Sequence, residues 1–186
     1  MSDVIDSDGF RANVGIVLMQ GEQVFLGQRT GSGGWQFPQG GMRRGETLEQ
    51  ALFRELNEEI GITEAHVTLV GQTERWLRYR LPPRYIRRNQ QPVCTGQKQR
   101  WFLLRLKGEA IFDFTRTGEP EFDSWRWAPY WEPVREVIYF KRPVYIRALQ
   151  ELASLAFPRG KQPPFPPWWA EVTERDGRFA VPESAD

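Results

Sequence analysis

The sequence predicts an α+β domain, and three observations carry the prediction. Strand-like segments lie on both sides of one long amphipathic helix at about 47–60, and a second helical period follows over 133–156. With 186 residues, 40% of them hydrophobic and 26% charged, the chain has the length and balance of one soluble domain with its own core. Its net charge is +1, so any affinity for a polyanion has to come from a local patch.

Taken in order, FRANVGIVLM at 10–19 is β-rich, and Gln20-Gly21-Glu22 turns it into VFLGQR, which predicts a hairpin. TGSGGWQFPQGG follows as a glycine loop and a short strand that feeds the first helix. Beyond that helix, AHVTLVGQTERWLRYRLP alternates apolar and polar residues and predicts one or two strands, while QKQRWFLLRL predicts a strand buried at its centre. Val134, Val137, Ile138, Val144, Ile146, Leu149, Leu152 and Leu155 keep a helical period, with a break expected at Pro143. Proline at 158, 163, 164, 166 and 167 excludes a regular helix or central strand from the start of 157–186, so that segment is expected to be an irregular or disordered extension of an 8–156 domain. Trp168 and Trp169 leave open a dock onto the domain or a partner.

One cysteine, Cys94, and one histidine, His66, exclude an internal disulfide and a multi-Cys or His-rich zinc site. A reducing, cytoplasmic setting fits that composition. MSDVIDSDGFR is acidic and polar rather than basic and then apolar, and no apolar run approaches the length of a membrane span. An exported or membrane-spanning protein is therefore not expected.

The most informative stretch is GGMRRGETLEQALFRELNEEIGI, 40–62. Thr47 is placed to cap the helix with Gln50 as the other half of a capping box, and Gly61 stops it. At about 100° per residue, Glu58 and Glu59 fall within about 60° of Glu55, on the side that also carries Leu48 and Ala51. An inward face thus begins apolar and ends in three carboxylates at the helix C-terminus, where both mutual repulsion and the helix dipole oppose them. A solvated acidic face is the bland alternative, but the wedge points inward. Arg54 can offset part of this charge, and the all-oxygen donor set suits Mg²⁺ or Mn²⁺.

The spacing Gly40, Glu46, Arg54-Glu55-Leu56, Glu58-Glu59, Gly61-Ile62 resembles a complete Nudix box, with every defining position filled. DGFRANVGIV, WQFPQGG, WLRYRLP, PVCTGQKQRWFLL, PEFDSWRW and VIYFKRPVY extend the similarity over about 8–156 to the bacterial RNA pyrophosphohydrolase branch of Nudix hydrolases, which shares ancestry with dinucleoside polyphosphate hydrolases. The resemblance implies an α/β/α sandwich with a mixed central sheet. It also implies divalent metal held by Glu55, Glu58, Glu59 and Glu121 with the carbonyl of Gly40, and RNA or phosphate contacts from Arg11, Arg29, Tyr79, Phe140 and Lys141. In that scheme Arg54 orients a glutamate, Glu46 braces the loop, and one of Glu55, Glu58 and Glu59 is the general base.

Residues 75–107 contain Lys and Arg but no Asp or Glu, with Trp76, Tyr79, Tyr85, Trp101 and Phe102 interleaved. Such a stretch suits a phosphate backbone and unstacked bases, although WFLLRL reads as core. The expected activity is conversion of the 5′-triphosphate or diphosphate end of RNA to a monophosphate, with release of pyrophosphate or phosphate, which initiates mRNA decay. A diadenosine tetraphosphate hydrolase is the second reading and an RNA-binding module without catalysis the third. The intact acids oppose the third. No DNA or membrane partner is expected.

Overall fold

FRANVGIVLM folds as strand β1 (Phe10–Gln20), buried along nearly its whole length because both of its faces are covered. Val14, Ile16 and Leu18 join one hydrophobic cluster, and Val17 and Met19 join the other. Alternation along a single strand thereby builds two cores.

The structure is a computed structural model that describes residues 4–31 and 33–176. Its further strands are β2 (Gln23–Arg29), β3 (Trp35–Gln36), β4 (Gln39–Gly41), β5 (Val67–Gln72), β6 (Leu77–Arg80), β7 (Gly96–Leu106) and β8 (Phe122–Pro129). Its helices are α1 (Leu48–Ile60), α2 (Pro133–Glu136), α3 (Arg142–Ala156) and α4 (Trp169–Asp176). The strands form one mixed sheet with β3-β2-β1-β7-β5 as its spine, while β4 pairs with β1, β6 with β7 and β8 with β2. β7 runs parallel to β1 from Phe10 opposite Gly96 to Met19 opposite Arg105. The other pairings of these strands are antiparallel.

Helix α1 covers one face, packing Ala51, Leu52, Leu56 and Ile60 with Phe102 and Leu104 of β7. Helix α3 covers the other, packing Tyr145, Leu149 and Leu152 with Trp101 and Leu103. The result is the expected α/β/α sandwich. Trp101 and Phe102 belong to its core, at 0% and 1% exposure, rather than to any ligand surface.

Two expectations are corrected. Pro143 does not break a helix but lies in the first turn of α3, where its missing N–H leaves no hydrogen bond unmade, and the chain leaves helix at Val137 instead. Nor is the Pro/Trp segment irregular throughout the described residues. Beyond its prolines it forms α4, whose Trp169 and Val172 are 8% and 7% exposed. Trp131 donates from Nε1 to the Pro163 carbonyl at 2.9 Å, and the Trp169 ring stands 5.0 Å from that of Trp131 and stacks on Phe165 at 4.7 Å. The prolines exclude regular structure only where they stand, and the aromatic side chains after them bury enough surface to hold the segment in place. Residues 177–186 of the expected extension lie outside the described residues. Among the described residues no helix is long and apolar enough to cross a membrane.

Candidate active site

The acid face of α1 is built by its two ends. At the start, Thr47 Oγ1 accepts from the Gln50 N–H at 3.2 Å and Gln50 Oε1 accepts from the Thr47 N–H at 2.9 Å, closing the expected capping box. At the end, Gly61 adopts φ 73° and returns its N–H to the Asn57 carbonyl. Glu55, Glu58 and Glu59 occupy the last turns between these fixed points, with Glu55 and Glu59 against β4.

Glu55 is 9% exposed, and Gly40 of β4 lies so close that a Cβ there would stand 1.9 Å from its carboxyl carbon. Only glycine permits this approach. Glu59 accepts from the Gln39 N–H at 2.9 Å. Burial raises the pKa of Glu55, and the charge of Glu58 raises it further, against the opposing effects of Arg54 and Arg11. Burial likewise pushes Glu59 well above the usual carboxylate range, reinforced by the charges of Glu55 and Glu121.

Arg54 crosses this face. Its Nε donates to Glu46 Oε1 at 2.6 Å and its Nη2 to Glu46 Oε2 at 2.9 Å and the Gly41 carbonyl at 2.8 Å. Its Nη1 donates to Glu55 Oε1 at 2.6 Å and Glu58 Oε2 at 3.1 Å. Glu46 Oε2 also accepts from the Arg43 N–H at 2.8 Å, so Glu46 joins Arg54 to the loop before α1.

Glu121 arrives from the other side of the sheet's edge. β8 pairs with β2 so that Phe122 faces Arg29, and Glu121 Oε1 accepts from Arg29 Nε at 2.9 Å and Gln36 Nε2 at 3.1 Å. Gln36 Oε1 in turn accepts from Lys141 Nζ at 3.0 Å. Burial and the charge of Arg29 lower the Lys141 pKa to about 8, although Glu121 and Glu59 oppose the fall. Lys141, Gln36, Glu121 and Arg29 therefore form one continuous polar edge beside Glu59. Arg11 reaches across Gly41, where an added Cβ would meet its guanidinium at 2.2 Å.

The remaining expected contacts separate. Phe140 is half-buried beside Lys141, whereas Tyr79 is 2% exposed and donates from its hydroxyl to Gln97 at 2.6 Å. Tyr79 offers no face to a ligand. Its ring lies 5.8 Å from that of Phe140 and supports it from beneath, because Leu77 and Tyr79 are the inward positions of β6. Not expected from the sequence are Arg43, whose Nη2 donates to Glu58 Oε1 at 3.0 Å, and Gln36 and Gln39, which hold Glu121 and Glu59. A guanidinium in the loop feeding the acid helix was the available signal for Arg43. Neither glutamine carries one.

With this geometry in view, likeness to known proteins becomes decisive: residues 9–149 match the NUDIX domain. The chain belongs to the Nudix family. It is 58% identical over 165 residues to the RNA pyrophosphohydrolase of Alkalilimnicola ehrlichii, covering 87% of this chain and 91% of that protein. It is 55% identical over 157 residues to the RNA pyrophosphohydrolase of Vibrio cholerae, covering 83% and 91%. Among solved structures, the E. coli dihydroneopterin triphosphate pyrophosphohydrolase superposes with a TM-score of 0.59 at 23% identity, over 73% of this chain and 92% of that one. A C. elegans Ap4A hydrolase superposes with a TM-score of 0.55 at 20% identity over the same shares. These two likenesses concern the fold alone.

Nudix hydrolases use divalent metal ions, and the donor chemistry of this face fits one. Its carboxylates are hard oxygen donors, and two of them are buried, with burial and the charge of Glu58 raising Glu55, and burial and the charge of Glu55 raising Glu59, so a cation relieves the repulsion. Among the described residues no three acid, His or Cys side chains already converge at ligand distance. Glu58 is turned onto Arg43 and Arg54, and Glu121 onto Arg29.

Proposed function

We propose that this Nudix hydrolase converts the 5′ end of RNA in the cytoplasm to a 5′-monophosphate, releasing pyrophosphate or successive phosphates from a triphosphate end and one phosphate from a diphosphate end, and so starts decay of the transcript. One observation carries the reading. The acid face suited to anhydride cleavage is bounded by the Lys141–Gln36–Glu121–Arg29 edge, and the next residue along the chain from Lys141 is the half-buried aromatic Phe140. A polyphosphate and the base beside it would find cations and a stacking ring in that order. The names of the relatives at 58% and 55% identity agree with an RNA substrate.

Glu55, Glu58, Glu59 and Glu121, with the Gly40 carbonyl, would hold the divalent ions, Mg²⁺ or alternatively Mn²⁺. Such ions neutralise phosphate oxygens and lower the pKa of water. The chain's own groups do the rest. Arg29 and Lys141 bind non-bridging phosphate oxygens, and Arg11 lies against the start of the acid face. A glutamate among Glu55, Glu58 and Glu59 accepts the proton of the attacking water. Burial raises the proton affinity of Glu55 and Glu59. Arg54 holds Glu55 and Glu58 in register with the Glu46 loop. In-line displacement needs this positioning more than it needs a covalent intermediate.

The test is a competition with Mg²⁺ between a short 5′-triphosphate RNA with a single-stranded end and diadenosine tetraphosphate, following kcat/KM for each. A clear preference for the RNA is expected. Preference for the dinucleotide would replace this reading with the dinucleoside polyphosphate one.

A further inference from the structure

Two tyrosines near the site are unusually open. Tyr85 is 40% exposed and Tyr139 is 46% exposed. They come from separate segments, the turn Pro83–Tyr85 after β6 and the turn Tyr139–Lys141 before α3, yet they converge on the same ring. The Tyr85 ring lies 5.0 Å from Phe140 at 50°, and the Tyr139 ring lies 5.4 Å from Phe140 at 88°. Phe140 thus sits between two exposed rings and above the buried Tyr79.

A cation completes the group. The Arg84 guanidinium stands 4.9 Å from the Tyr85 ring centre and 6.0 Å from that of Tyr139, so it leans over both. Among the described residues no carboxylate pairs with it. Arg80, Arg87 and Arg88 are exposed around the same turn, in a stretch without a single acid. Open rings, a guanidinium plane and an uninterrupted positive rim together suit a single nucleic-acid strand, whose bases have π-faces and whose backbone carries charge at every step.

We infer that Tyr85, Tyr139 and Arg84 form a second stacking station, which takes the unpaired nucleotide downstream of the one received on Phe140. This rests on the RNA reading above and deepens it: the station sets how many unpaired nucleotides the substrate must present. The order follows from connectivity. Lys141 ties to Glu121 through Gln36, Phe140 precedes Lys141, and Tyr85 and Tyr139 lie against Phe140 and are more exposed than it. A strand that enters with its 5′ phosphates at the acids meets Phe140 first and the tyrosines next. A base-paired nucleotide cannot splay onto these rings, so only single-stranded length counts. Stacking reads a π-face rather than hydrogen-bond edges, so the station is tolerant of sequence.

The experiment uses 5′-triphosphate RNA hairpins with one, two, three or four unpaired 5′ nucleotides in Mg²⁺. The readout is the ratio of kcat/KM on the longest overhang to that on the shortest. Wild-type protein is compared with the Tyr85→Ala/Tyr139→Ala double variant and with Tyr85→Phe/Tyr139→Phe. The alanine pair is expected to lower the ratio roughly tenfold, mainly through KM on the longer overhangs. The phenylalanine pair keeps the rings and is expected to keep the ratio. A ratio unchanged in the alanine pair, or an equal fall on every overhang, would show that the tyrosines only brace Phe140 and overturns the inference alone. Wild-type protein inactive on all four hairpins removes the RNA reading and this inference with it.

Discussion

Arg54 Nε lies 2.6 Å from Glu46 Oε1 while its Nη1 lies 2.6 Å from Glu55 Oε1, so one guanidinium joins the loop to the acid face. Only a planar fork can meet both carboxylates, Glu58 and the Gly41 carbonyl together. Arg54→Lys keeps the charge but reaches fewer of these acceptors. Its kcat is expected to fall about ten- to a hundredfold with little change in KM, as for other groups that orient metal-site ligands. Steady-state kinetics on a 5′-triphosphate RNA decides it, and wild-type turnover in the lysine variant would mean that charge alone suffices.

Glu59 gives a prediction about pH. Because burial raises its pKa above the ordinary glutamate value of 4.5, the native protein holds this proton after the unfolded chain has released it. Stability from this group is present below about 4.5 and is lost as pH rises through the native value. Glu46 acts oppositely, since its bond with Arg54 lowers its pKa and its contribution is lost as pH falls. Glu59→Gln removes only the first effect. Without divalent ions, the variant's Tm should exceed that of wild type by more at pH 7.5 than at pH 4.5, while its activity with Mg²⁺ falls by at least about a hundredfold. Melting curves at the two pH values check the first part. A Tm difference independent of pH would show that Glu59 is not held in a charge-averse setting.

The acid helix was legible because its signals are local. The Thr47–Gln50 box, the Gly61 stop and the period of Glu55, Glu58 and Glu59 all lie within one element, and local chemistry fixes them. Glu121 carried no such signal, since only the pairing of β8 with β2 brings it beside Arg29, and resemblance alone pointed to it. Tyr79 shows the converse limit. Alternation along β6 marks two faces, but only the packing of α3 and the turn before it decides which face is covered. The order of the tail was hidden for a similar reason, because its receptor is Trp131, far back along the chain.

Gly40 tests how tightly the strand and helix are joined. A methyl group there meets the Glu55 carboxyl carbon at 1.9 Å, so the carboxylate that Arg54 holds at 2.6 Å must shift. Gly40→Ala is expected to lose activity at least about tenfold and stability by about 1–3 kcal/mol. Gly118 provides the control, since nothing lies within 4 Å of its added Cβ, and its alanine variant should stay within about 0.5 kcal/mol of wild type. Denaturant titration of both variants makes the comparison.

Trp169 separates stability from catalysis. It is 8% exposed against Trp131 and Phe165, so Trp169→Ala opens a cavity and should cost about 3 kcal/mol or more, lowering Tm by roughly 6–12 °C. The damage lies away from the acids. Trp131 follows the Pro129 end of β8, which pairs with Gln23, whereas Glu121 precedes the opposite end, where Phe122 pairs with Arg29. Well below the lowered Tm, kcat on a 5′-triphosphate RNA should therefore remain within about twofold of wild type, since groups this far apart act independently. Thermal melting and single-temperature kinetics on one preparation give both numbers. An unchanged Tm would show that α4 is not held by Trp131, and a large fall in kcat at unchanged fold would extend the functional site to the tail.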